Sequence, residues 1–368
     1  MSPKQTANSF EYGQVSRRQI ISATGATGVA GLAGCSSLDA GGDGNEGGDG
    51  GDGGSVATQN QMEDVTIRYI PHGAPGGDPF WQAQSKGWNM AVNQLGVDGA
   101  YQAPGDSSAF TDQVNNIETA IDSNVDAIAV TLPDPPLYQE ALQRAADDGI
   151  YVIVTNVTEQ SYLSEGKQSM PYHGYIGQNE AEVGAALATN TLPLFEEKTG
   201  SAPSRALILN HDPGHSALEL RQDGIERVLD NQNVPNDWIE VPSGDPSGVI
   251  SRLASSRSNN PDTNLIFTLG PAAGDPAIDY ITNEGLEGEV YHAGVDISGE
   301  QAKGLREGHN LAQVIQQPAM QAYLAAHYMT QHLQVGFLTP RHTPTGPTFV
   351  TADNVDAVQQ QLDEFGVA

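Results

Sequence analysis

Six loops hold most of the residue types in this chain that can do chemistry, each directly behind a short apolar run. They read PHGAPGGDPFW at 71–81, PDPP at 133–136, NVTEQ at 156–160, HDPGH at 211–215, GPAAGDP at 270–276 and VDISGE at 295–300. Aspartates at such exits can move protons for hydrolysis or accept hydrogen bonds from hydroxyls, and the sequence leaves both readings open. Asp134, His72, His211 and Gln178 stand at these exits, with simple turn formation as the competing role. The imidazoles of His211 and His215 could begin a metal site, but no third ligand follows at a recognisable spacing, so no metal is expected. No Walker lysine motif, GxSxG or HExxH is present, and no cofactor is expected. Cys35 is the single cysteine, so its thiol has no internal disulfide partner; it lies directly behind Leu32-Ala33-Gly34.

The elements that must position these loops are legible as alternating strand-like and helix-like runs, the pattern of an α/β chain with parallel sheets. A first set of strands is predicted at 65–70, 126–132, 151–156 and 175–177. A second set is predicted at 205–210, 264–269, 289–294 and 311–315. Val114, Ile117 and Ile121 fall at helical spacing, as do Leu218, Arg221, Ile225 and Val228. Two sets of strands in 368 residues predict two sheets in two lobes. Ligands of open parallel sheets bind beyond the carboxyl ends of the strands, which is where the six loops fall.

The N-terminal residues read as an address. Arg17 and Arg18, an apolar, glycine-rich run and then Leu32-Ala33-Gly34-Cys35 have the order of an export signal. The arginine pair resembles a twin-arginine motif, and the residues before Cys35 resemble a lipobox, so Cys35 is expected to be acylated after cleavage. The apolar run is too short and too glycine-rich for a confident membrane span. GGDGNEGGDGGDGG, beginning at 41, cannot bury apolar surface and is expected to be a solvated tether. Sixteen Lys and Arg against 46 Asp and Glu give a net charge of −30, a field that repels nucleic acid and anionic lipid headgroups. So large an acidic excess resembles that of halophilic proteins.

Five motifs carry a family resemblance: DPFWQAQSKGWNMAVNQLGV at 78–97, VDAIAVTLPDP at 125–135, YIGQNEAEVG at 175–184, AGVD at 293–296 and AQVIQQP at 312–318. In this order they resemble the ribose-type periplasmic sugar-binding proteins, a type 1 periplasmic binding fold, over roughly residues 65 to 350. The resemblance implies two Rossmann-like lobes with parallel sheets, joined by a three-segment hinge and closing around one sugar. It divides the chain into a signal at 1–35, a tether at 36–63, an N-terminal lobe at 64–177 plus 317–345, and a C-terminal lobe at 178–316 plus 346–368. Phe80 and Trp81 match the family's stacking pair, and Asp78 before them would accept from hydroxyls or simply cap the helix. Asn156 stands where the family has an aspartate, Val157 where it has an arginine and Gly270 where it has an asparagine. Asp296 matches the sugar-binding aspartate of the second lobe and Gln316 the hinge glutamine. Arg221, Asp134 and Gln178 complete the expected ligand-binding set.

The function implied is capture of a monosaccharide or polyol and its delivery to the permease subunits of an ABC importer. The protein would be a monomer held on the outer face of the cytoplasmic membrane through Cys35, without enzymatic activity. A sensory receptor coupled to a membrane signalling protein is the alternative, and a glycoside-processing enzyme a third class. A transcription regulator would need a helix-turn-helix before residue 65, where this chain has the signal and tether.

Overall fold

The computed structural model describes residues 65–76, 78–105 and 110–368, so Arg17, Arg18, Cys35 and the glycine tether lie outside the described residues. The first sheet contains β1 (Thr66–Ile70), β2 (Asp98–Tyr101), β3 (Ala127–Val130), β4 (Tyr151–Asn156), β5 (Tyr175–Gly177) and β11 (His342–Pro344). Its order is β11-β5-β4-β3-β1-β2, with every pairing parallel. The second sheet contains β6 (Ala206–Asn210), β7 (Asn236–Glu240), β8 (Leu265–Thr268), β9 (Tyr291–Val295), β10 (Asn310–Ile315) and β12 (Thr348–Val350), ordered β12-β10-β9-β8-β6-β7. Only β12 runs antiparallel there. Both sheets are thus doubly wound about a reversal of strand order, between β1 and β3 in one and β6 and β8 in the other. The two lobes expected from the sequence are present, each with a mostly or wholly parallel sheet.

The chain passes between the sheets three times: after β5, after β10, and between β11 and β12. The first two passages lead into α5 (Glu180–Thr199) and α10 (Pro318–Val335), each of which packs against the first helix of its lobe. The partner of α5 is α6 (Ser216–Asn231) and that of α10 is α1 (Pro79–Leu95). Both pairs approach through glycine. A methyl on Gly87 of α1 would lie 2.0 Å from the Ala319 carbonyl oxygen of α10, and one on Gly184 of α5 would lie 2.0 Å from that of Arg221. Close approach of this kind ties the helices bearing Trp81 and Arg221 to the passages between the lobes.

The core lies on both faces of each sheet. β3 and β4 are buried along their whole length, as are β8, β9 and β10, which explains their largely apolar runs; the buried His292, Asn310 and Gln313 of β9 and β10 hydrogen-bond one another. Ile128, Val130, Val152 and Val154 pack under α2 (Phe110–Asp122) and α3 (Pro135–Asp147), while Ala129 and Ile153 face α1 and α10. Fully burying each such aliphatic side chain contributes about 1.5–3 kcal/mol. No helix among the described residues is long and apolar enough to cross a membrane.

Candidate functional site

A cavity lies at the carboxyl ends of both sheets, and its walls come from the strand exits of both lobes. In the first lobe, β1 ends at Ile70 and the chain turns into α1. The Asp78 carboxylate caps this helix by accepting from the Phe80 N–H at 2.8 Å, and Pro79 supplies the preset first turn. The cap places Phe80 and Trp81 on the cavity wall, their rings edge to face at 4.7 Å. Trp81 is only 5% exposed and meets the His72 ring at 4.4 Å, so it is both packed into the lobe and part of the wall. Burial pushes the Asp78 carboxyl up to about 6, restrained by its bond from Phe80.

The centre of the site is a hydrogen-bonded chain across the lobes. Asn156 ends β4 with φ 62°, and Asp296 follows β9 with φ 65°, so equivalent exits of the two sheets are left-handed turns. Asn and Asp tolerate this conformation better than other side-chain-bearing residues. Between them stands Gln316, on the passage from β10 to α10. Its Oε1 accepts from Asn156 Nδ2 at 3.1 Å, and its Nε2 donates to Asp296 Oδ2 at 2.9 Å. Asp296 Oδ1 is buried with no hydrogen-bond partner. Burial pushes the Asp296 carboxyl up to about 7, against the pull of Arg221 and the bond from Gln316.

Arg221 supplies the cation. Its Nε donates to Glu180 Oε2 at 2.5 Å, one terminal nitrogen to the Leu269 carbonyl at 2.7 Å and the other to Gln316 Oε1 at 3.4 Å. Both partners of the ion pair are 4% exposed. Burial works against the Arg221 charge, but Glu180 and then Asp296 more than restore it, so the guanidinium is held cationic. Glu180 is pushed up by burial and restrained by Arg221.

Three histidines border the cavity. His72 and His215 meet across the lobes, Nε2 to Nε2, at 2.8 Å, while His72 Nδ1 is bonded to Thr131 Oγ1 and His215 Nδ1 accepts from Ala217 N–H. Burial depresses all three, His211 to about 4 and His215 to about 3. His215 therefore faces His72 rather than pairing with His211. Among the described residues no group of three or more metal-ligating side chains is assembled.

Of the residues expected from the sequence, Asp78, Phe80, Trp81, Asn156, Arg221, Asp296 and Gln316 line this one cavity. Gln178 is fully buried beside it instead, donating to Glu180 Oε2 at 3.3 Å. Asp134 is not brought to the others: it is exposed at the start of α3, and only the neighbouring Pro133 carbonyl reaches the other lobe, accepting from Ser216 N–H. Glu180 was missed. Its signal was indirect, since an arginine on the apolar face of a helix needs a buried carboxylate opposite it.

Two doubly wound lobes, joined by three passages and facing each other across a polar and aromatic cleft, define the class of the periplasmic binding proteins. The chain belongs to the family described as the periplasmic binding protein domain, which matches residues 73–336. The xylose/arabinose-binding protein XylF of Sulfolobus acidocaldarius is 25% identical over 288 residues, 76% of this chain and 69% of that protein. The crystal structure of a periplasmic sugar-binding protein of an ABC sugar transporter from Legionella pneumophila superposes with a TM-score of 0.69 at 26% identity. It covers 77% of this chain and 99% of that one. A carbohydrate transporter from Acidothermus cellulolyticus in complex with myo-inositol gives a TM-score of 0.70 at 25% identity, over 82% and 99% of the two chains.

Proposed function

We propose that this chain is an extracytoplasmic solute-binding protein that captures a monosaccharide or polyol in the interlobe cleft and delivers it to an ABC importer. The observation that carries this reading is the convergence of Asn156, Gln316 and Asp296 beside the Phe80 and Trp81 rings. Polar groups that accept and donate around an aromatic wall are what a molecule with CH faces and a hydroxyl rim requires. The names of the similar proteins, which concern xylose, arabinose and myo-inositol, support the same class of ligand.

The proposal extends to the lobe limits, 64–177 plus 317–345 and 178–316 plus 346–368. It extends also to a monomer exported by the twin-arginine route, anchored by lipid at Cys35 and adapted to concentrated salt, on the strength of the N-terminal residues and the charge of −30. A thermal-shift screen of monosaccharides and polyols, followed by calorimetry, tests the binding reading. With a ligand in hand, Trp81→Ala removes a stacking contact of about 0.5–1.5 kcal/mol. Asp296→Asn removes charge-assisted bonds of about 1.5–3 kcal/mol each, and is expected to weaken binding more. If Trp81→Ala unfolds the protein while binding per folded molecule is unchanged, Trp81 is core alone and the cleft is misassigned. Uptake of the bound sugar by cells, lost on deletion, separates import from signalling.

A further inference from the structure

The charge balance of the cleft narrows the ligand class, granted the reading of this cavity as the ligand site. Asp78, Asp212 and Asp296 line it, Glu180 stands directly behind, and among the described residues Arg221 is the one arginine or lysine in its wall. The histidines do not help, because His72, His211 and His215 are all depressed by burial. Nor are the bonds of Arg221 turned to the cleft carboxylates: they go to Glu180, the Leu269 carbonyl and Gln316. Glu180 therefore takes up most of the guanidinium charge, and only its longer-range field reaches Asp296.

Two carboxylates remain without a bonded cation. Asp296 is 1% exposed and receives a single neutral donor, Gln316 Nε2 on Oδ2, while among the described residues its Oδ1 has no hydrogen-bond partner. Asp78 receives only the backbone N–H of Phe80. Buried charge of one sign is costly unless it is paired. The rings of Phe80 and Trp81 in the same wall offer negative faces that also attract a cation.

We propose that the ligand of this cleft carries a positive charge: a sugar or polyol bearing a protonated amino group, seated by Asp296 and Asp78 against the Phe80 and Trp81 rings. An ammonium brings three donors and no acceptor, which suits a site whose unpartnered buried carboxylate oxygen is an acceptor. Because the pair would be desolvated, concentrated salt screens it far less than it screens the surface.

The test is calorimetry on the full chain with matched probes: D-glucose and D-glucosamine, D-galactose and D-galactosamine, sorbitol and 1-amino-1-deoxysorbitol. In at least one pair the amino member is expected to bind about tenfold or more tightly, the gain of one charge-assisted bond. The corresponding N-acetylated, uncharged probe is expected to lose that gain, a comparison that needs no variant. In Asp296→Asn, checked for an unchanged fold by circular dichroism, the preference for the amine should fall to within about threefold of parity. Equal or tighter binding of the neutral member in every pair overturns the proposal while leaving the sugar-binding reading intact. Binding of neither series overturns both.

Discussion

Removing both partners of the Arg221–Glu180 pair should cost less than the two single removals added together. Arg221→Met leaves Glu180 and Asp296 as buried carboxylates without their cation, and unmaking a buried pair from one side costs about 3–5 kcal/mol. Glu180→Gln keeps the shape but leaves the guanidinium with only the Leu269 carbonyl and Gln316, losing a charge-assisted bond of about 1.5–3 kcal/mol together with its charge compensation. The double variant removes both charges at once and should cost about 1–3 kcal/mol less than the sum of the single variants. For domains of this size about 3 kcal/mol lowers the melting temperature by roughly 6–12 °C. Urea unfolding followed by circular dichroism gives each free energy by linear extrapolation. Singles that each cost under about 1 kcal/mol and add without coupling would show a solvated pair and refute the reasoning.

Gly87→Ala should destabilise by about 1–3 kcal/mol despite the better helix propensity of alanine, because the new methyl meets the rigid Ala319 backbone at 2.0 Å; denaturant midpoints check it, and a stabilised variant would contradict the packing. Acid should destabilise the fold. His173, His211 and His292 are lowered from 6.5 to about 4 and His215 to about 3, so between about 6.5 and 4 the unfolded chain binds more protons and stability falls with pH. Asp78 and Asp296, raised from 3.8 to about 6 and about 7, act in the opposite sense over that window together with the raised Glu180, Glu226, Asp275 and Asp279, and with His72, His309 and His327 also lowered, seven histidines outnumber these six carboxyls. Asp296→Asn should therefore steepen the acid loss, read as melting temperature against pH; a shallower profile would reverse the assignment. Cys35→Ser should release the protein from membranes into the medium, and an equally membrane-bound variant would end the lipobox reading.

The sequence by itself determined the central strands and the loops behind them. Strands buried on both faces must be mostly apolar runs, and the chain can leave them for the cleft only through polar turns, so YVIVTN and LAQVI announced both a strand and the site at its end. It also determined which polar side chains stand at those exits. It did not determine the edge strands β2, β7, β11 and β12, whose DGAY, NDWIE, HTP and TFV are mostly half-buried or exposed and carry no such run. Only the tertiary structure decided which exit residues meet. Asn156 and Gln316 lie 160 positions apart, His72 and His215 143, and Arg221 finds Glu180 across two packed helices. Asp134, equally well placed along the chain, finds none of them. Spacing along the chain carries the period of a helix or a strand, whereas partnership across the cleft depends on how two sheets are wound and joined.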